Sequence, residues 1–190
     1  MNETLSVIKS RRSVRSFSSA PVSGDELTQI VEAGQYAPSA MNEQPWHFTV
    51  ITNQDAIKRL NRACVDSLMQ FGNEAIKNRF SGKDPDSVDL FYHAPVVIVV
   101  SGDANAIAPK IDGALAIENM FLAAESLQIG SCWIHALNHV FAAAEGKNML
   151  VEEGIVPSQN VIVGTAVFGY KAEPNKDALP RTANTVQYID

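Results

Sequence analysis

The chain has 190 residues, of which 46% are hydrophobic and 19% charged, and its net charge is −6. That length suits one domain, residues 1–190, with enough chain to bury a real core. The acidic balance argues against bulk attraction to nucleic acid or to an anionic membrane. Cys64 and Cys132 stand far apart, with neither a disulfide framework nor zinc spacing, which fits reduced thiols in a cytosol. The stretch MNETLSVIKS is too polar for a signal-peptide core, and no apolar run approaches the roughly 20 residues of a membrane span. A soluble cytoplasmic protein is the expectation.

Leu5 and Ile8 suit a short first helix just ahead of SRRSVRSF, residues 10–17. SGDE at Ser23–Glu26 matches a capping box, and Leu27, Ile30, Val31 and Gly34 then recur at helical spacing. WHFTVIT, Trp46–Thr52, reads as a strand from its β-branched and aromatic content, and Asn53 suits the cap of a helix carrying Ile57 and Leu60. Cys64 to Phe80 reads as a less regular helix and SGKDPDS, Ser81–Ser87, as a surface loop. APVVIVVSG, Ala94–Gly102, is an apolar run suited to a central strand covered on both faces. From Ile111 to Ile129 the chain is apolar nearly all round, which predicts a long buried helix with Gly130 as its cap. SCWI and Val161–Tyr170 read as strands, and TVQYI as a last strand or an extended arm. The elements together predict an α+β fold, a mainly antiparallel or mixed sheet packed by helices around the long one.

Three stretches could carry chemistry. In the first, Arg11 and Arg15 would share a face if helical, with Arg12 and Ser13 beside them. Guanidinium groups grip phosphate bidentately, yet a solvated or ion-paired surface fits the same residues. There is no P-loop and no GxGxxG after a strand. The second is APSAMNEQPWHF, Ala37–Phe48. Pro38 and Pro45 stiffen a loop in which Asn42 and Gln44 offer both donors and acceptors, as reading the edge of a heterocycle requires. A capped turn with Trp46 in the core fits equally. The third, GSCWIH at Gly130–His135, is either a core strand or a source of backbone amides aimed into a pocket. No metal spacing, GxSxG elbow or cysteine-nucleophile motif is present, so no metal ligand and no side-chain nucleophile is assigned.

Taken in order along the chain, these stretches resemble the nitroreductase family of flavin enzymes. RRSVRSF is similar to that family's N-terminal phosphate-binding motif, APSAMNEQPWHF to its Ser-x-x-Asn-x-Gln-Pro-Trp signature, IGSCWI to the segment after its central helix, and GYKAEP…LPR to its closing stretch. The resemblance implies a nitroreductase-like fold in an intertwined homodimer, with FMN at the subunit interface. It implies that Arg11, Arg12, Ser13 and Arg15 hold FMN, with Arg181, or less favourably Lys171, completing the phosphate grip. Pro38, Ser39, Ala40, Asn42 and Gln44 would reach the flavin bound mainly by the other subunit. Trp133, Ile134 and His135 would lie along the ring, although many relatives carry glycine where this chain has His135.

The implied activity is reduction of nitroaromatics, quinones or similar small acceptors by NADH or NADPH, in a ping-pong sequence at flavin N5. The chemistry is the cofactor's, so no catalytic side chain is expected. Two other classes remain open on the sequence alone. One keeps the fold and changes the flavin chemistry, to dehalogenation, flavin consumption or azoline oxidation. The other is a non-enzymatic flavin- or anion-binding dimer. Phe71, Phe80, Phe91 and Tyr92 are candidates either to stack on a planar substrate or to serve as core or dimer contacts.

Overall fold

Local signals start most of the helices in the computed structural model, which describes residues 2–183 and 185–189. The Asn2 side chain accepts from the Thr4 amide at 2.9 Å and caps α1, Glu3–Ser10. Ser23 and Glu26 form the expected capping box on α2, Gly24–Gln35. β1, Trp46–Ile51, leads into α3, Gln54–Phe71, capped by Asn53 accepting from Asp55 and Ala56. The irregular helix expected through Phe80 is broken at Gly72, after which Asn73 caps a separate α4, Glu74–Phe80. Next come β2, Val96–Asp103; α5, Pro109–Ser126; and β3, Ile129–Ile134. α6, Ala136–Ala142, and α7, Ala144–Glu152, precede β4, Asn160–Tyr170.

The sheet is antiparallel throughout, in the order β1-β2-β4-β3. β2 lies inside it, and Val96 to Val100 are all at most 1% exposed. Alternation sorts them: Val97 and Val99 join a core with Ile57, Leu60 and Leu137, while Val96, Ile98 and Val100 join a second with Ile30, Ile117 and Met120. α3 and α6 therefore cover one face and α2 and α5 the other. A bulge at Val100/Ser101 shifts the register against β4. Beyond it Ile162 joins the first core and Val163 the second, where Val163 meets Gly113 of α5.

Two expectations change. α5 ends at Ser126, and Gln128, not Gly130, takes the left-handed turn, at φ 63°. Gly130 lies within β3. α5 buries one face within this chain; Ile111 and Leu115 on its other side are 67% and 42% exposed, so it is not buried all round. Leu5 and Ile8 are also exposed, and no residue of α1 is buried. Thr185–Ile189 is exposed and forms no strand, leaving the extended arm of the two alternatives.

β3 is an edge, and the segment after α1 covers it. Ser13 bridges Ser131 in parallel, the Val14 amide donates to the Ser131 carbonyl at 2.9 Å, and Phe17 bridges Lys171. Pairing of this kind satisfies backbone groups that an edge strand otherwise leaves open. Two glycines make room for it. A Cβ on Gly130 would stand 2.9 Å from three carbons of Val14, and one on Gly169 would meet Phe17 at 3.0 Å. Among the described residues no helix is long and apolar enough to cross a membrane.

Cys64 has no exposed surface, and burial pushes its thiol up to about 12. Between pH 9 and 12 the folded chain keeps this proton and the unfolded chain loses it, so stability falls as pH rises, by about 1.4 kcal/mol per unit. Denaturant titrations of Cys64→Val over this range should show a shallower decline than wild type; identical slopes would contradict the assignment. Gly130→Ala should cost about 1–3 kcal/mol through its clash with Val14. Urea unfolding should show Val14→Ala relieving that cost in the double variant, and strict additivity would contradict the contact.

Candidate functional site

The arginines of SRRSVRSF are not helical. α1 stops at Ser10, and Arg11, at φ −55° and ψ 133°, already leaves the helix. The pairing with β3 draws out the residues that follow it. In an extended chain alternate residues share a side, which would group Arg11, Ser13 and Arg15; their side chains then diverge, Arg11 toward α5 and Arg15 toward Tyr92. The i, i+4 pair expected for Arg11 and Arg15 thus becomes an i, i+2, i+4 row that includes Ser13.

Each arginine has a distinct setting. Arg11 is half-buried on α5, its Nε 3.7 Å from Glu118 Oε1 and its guanidinium 5.8 Å from the Phe121 ring centroid. Arg12 turns back: one guanidinium nitrogen donates to the carbonyls of Lys9 and Arg11, both at 2.7 Å. That bond pattern ties up orphan carbonyls at the end of α1. Arg15 is exposed, lies 6.0 Å from the Tyr92 ring centroid, and has no carboxylate partner among the described residues. The row also acts on Cys132. Burial raises that thiol, while Arg15, a hydrogen bond from Ser13 and Arg11 oppose the shift.

The loop Ala37–Pro45 is built on strained backbone. Met41, Asn42 and Gln44 have φ of 50°, 57° and 48°. Positive φ is costly for residues with a Cβ unless the surroundings hold it. Ser39 Oγ accepts from the Gln44 amide at 3.0 Å, and the Gln44 side chain donates to Asn42 Oδ1 at 3.0 Å. The Ala40 amide donates to the buried carboxylate of Asp112, at 3.2 and 3.3 Å to its two oxygens, and Glu43 accepts from the Ile107 amide at 2.8 Å. Pro38, Asn42 and Gln44 stay exposed, and Trp46 is half-buried against Phe48 rather than a core residue.

The loop and the arginine row hang from opposite ends of one helix. Asp112 lies in the first turn of α5; Glu125, in its last, holds the start of the arginine segment through Asn175, whose Nδ2 donates to the Ser10 carbonyl at 3.0 Å and to Glu125 at 3.1 Å. At 1.5 Å per residue those anchors are about 20 Å apart along the axis. Arg11 itself meets α5 between these anchors, at Glu118.

At the end of β3, Trp133 packs its ring onto Gly164, where a Cβ would come within 2.3 Å of it. Ile134 turns its side chain into the core, at 6% exposure. His135 is exposed at the start of α6, its ring edge-on to His139 at 5.9 Å. Lys171 Nζ lies 2.7 Å from Glu125 Oε2, with both side chains largely buried, so its charge is matched inside the protein. Arg181 is exposed in the C-terminal segment. Phe91 fills the core, Phe80 and Tyr92 are half-buried, and Phe71 is exposed. Glu118, Glu125 and Asp112 were not singled out from sequence; acids within an otherwise apolar helix were the available signal.

The geometry has counterparts among known proteins. The family model described as Nitroreductase family matches residues 8–170. A protein of Archaeoglobus fulgidus with the provisional name NADH dehydrogenase/NAD(P)H nitroreductase is 31% identical over 180 residues, covering 90% of this chain and 86% of its own. A crystallised nitroreductase with bound FMN from Bacteroides fragilis superposes with a TM-score of 0.89, at 35% identity and 100% coverage of both chains. Another with bound FMN, from Desulfitobacterium hafniense, gives 0.85 at 26% identity, again covering both chains fully. The chain belongs to the Nitroreductase family.

Proposed function

We propose that the chain is an FMN-dependent NAD(P)H oxidoreductase working as a homodimer. The observation that carries this reading is that Arg11, Ser13 and Arg15 stand at alternate positions of a segment paired to the β3 edge, with Arg15 exposed and lacking a carboxylate partner among the described residues. Two guanidinium groups and a hydroxyl in a row suit a phosphate dianion and a carbonyl edge. The donor set therefore fits FMN. Arg12 supports the site indirectly, because its guanidinium holds the end of α1. Arg181 is the favoured C-terminal phosphate partner over Lys171, which Glu125 already neutralises.

The apolar side of α5 that this chain leaves open supports a site shared by two copies. Pro38, Ser39, Ala40, Asn42 and Gln44 would contact the flavin held mainly by the other chain. Exposed apolar side chains supply the surface for such pairing: Ile111 and Leu115 on α5, Leu5 and Ile8 on α1, and Tyr188 and Ile189 at the C-terminus. A second copy over α5 would bury the helix on both sides. At the β3 end, Trp133 and Ile134 would present backbone to the ring, and His135 a side chain. When bound, FMN supplies the redox chemistry, passing electrons from NADH or NADPH to nitroaromatic, quinone or similar acceptors by ping-pong exchange at N5. A guanidinium near the N1–C2 edge would favour negative charge there.

The test is an absorbance spectrum of the purified protein before and after anaerobic NADH or NADPH. A flavin spectrum that bleaches is expected, and the nucleotide that bleaches it identifies the donor. A bound flavin that ignores both would move the function to dehalogenation, dehydrogenation or non-enzymatic binding. A protein that neither carries nor takes up FMN would contradict the cofactor assignment.

A further inference from the structure

We infer that Glu125 is a positioning residue of the phosphate-binding segment, an inference that rests on the FMN reading above. Glu118, Phe121 and Glu125 follow one another at spacings of three and four on α5 and so form one stripe. Arg11 lies on the first two, 3.7 Å from the carboxylate and 5.8 Å from the ring. Glu125 receives Lys171 Nζ at 2.7 Å and Asn175 Nδ2 at 3.1 and 3.3 Å. The same Asn175 nitrogen donates to the carbonyl of Ser10 at 3.0 Å, the residue immediately before Arg11. One buried carboxylate thus joins the end of β4, the C-terminal segment and the last residue of α1.

The joint has a specific consequence. A carboxylate 7% exposed is tolerated because Lys171 balances it and Asn175 uses its remaining lone pairs. Lys171 then serves the clamp rather than the phosphate. Glu125 touches no ligand; it fixes where Arg11 leaves α1 and hence where the arginine row begins. The β3 end and the Asp112-held loop, which would face the ring, do not depend on it. The clamp acts at the Arg11 end of the row, so its loss should weaken recognition of the phosphate more than recognition of the ring.

Titration of the flavin-stripped full chain with FMN and with riboflavin, which lacks the phosphate, separates these effects. Glu125→Gln is expected to weaken FMN binding about tenfold, the scale of one charged hydrogen bond, while riboflavin affinity stays within about twofold. Asn175→Ala keeps the Glu125–Lys171 pair and cuts the tether to Ser10, so it should give a smaller loss of the same selective kind; it serves if Glu125→Gln does not fold. Equal losses for both flavins, or no loss for either, would overturn the positioning role. Arg11→Ala is the control on the underlying reading: it should lower FMN affinity by at least as much, and an unchanged value would remove the phosphate site itself.

Discussion

A short stretch of main-chain pairing carries the rest of the structure: the amide of Val14 on the carbonyl of Ser131, beside an edge strand that has glycine at Gly130. Without a side chain at Gly130 the segment lies close enough to pair. Once paired it is extended, and extension puts Arg11, Ser13 and Arg15 in a row. Arg12, excluded from that row, turns to the carbonyls that α1 leaves open. The charge pattern follows from the backbone, because the same residues on a helix would leave Ser13 off the Arg11–Arg15 face.

α5 organises what the edge pairing begins. Gly113 lets it approach Val163 of the sheet, Asp112 holds the strained loop, and Glu118, Phe121 and Glu125 underlie the arginine segment. The two halves of the proposed flavin site are therefore fixed to the same rigid rod at different heights. The apolar side of α5 that its own chain leaves uncovered is a reason for two copies.

Much of this was legible in the residues. The Ser23–Glu26 box, the Asn53 cap and the apolar run of β2 are local signals, and local physics honours them. The sequence leaves the conformation of the arginine stretch open, because spacing of four fits one face of a helix and alternate positions of a strand alike. The deciding partner, Ser131, is distant in sequence, and no local pattern encodes it. Gly130 looked like a helix stop, but its lack of a side chain serves Val14, and Gln128 makes the turn instead. α5 reads as apolar all round, although its own chain buries only one face. Glu125 was invisible as a clamp because Lys171 and Asn175 lie far along the chain.

The central claim is that the arginine row of one chain and the loop of another close on one flavin. Sedimentation equilibrium of the holoprotein, followed at the flavin absorbance band, tests it most directly. Flavin should sediment with about twice the 20.6 kDa chain mass, and should be lost as dilution splits the dimer. Flavin that sediments with a single chain and stays bound on dilution would contradict a shared site.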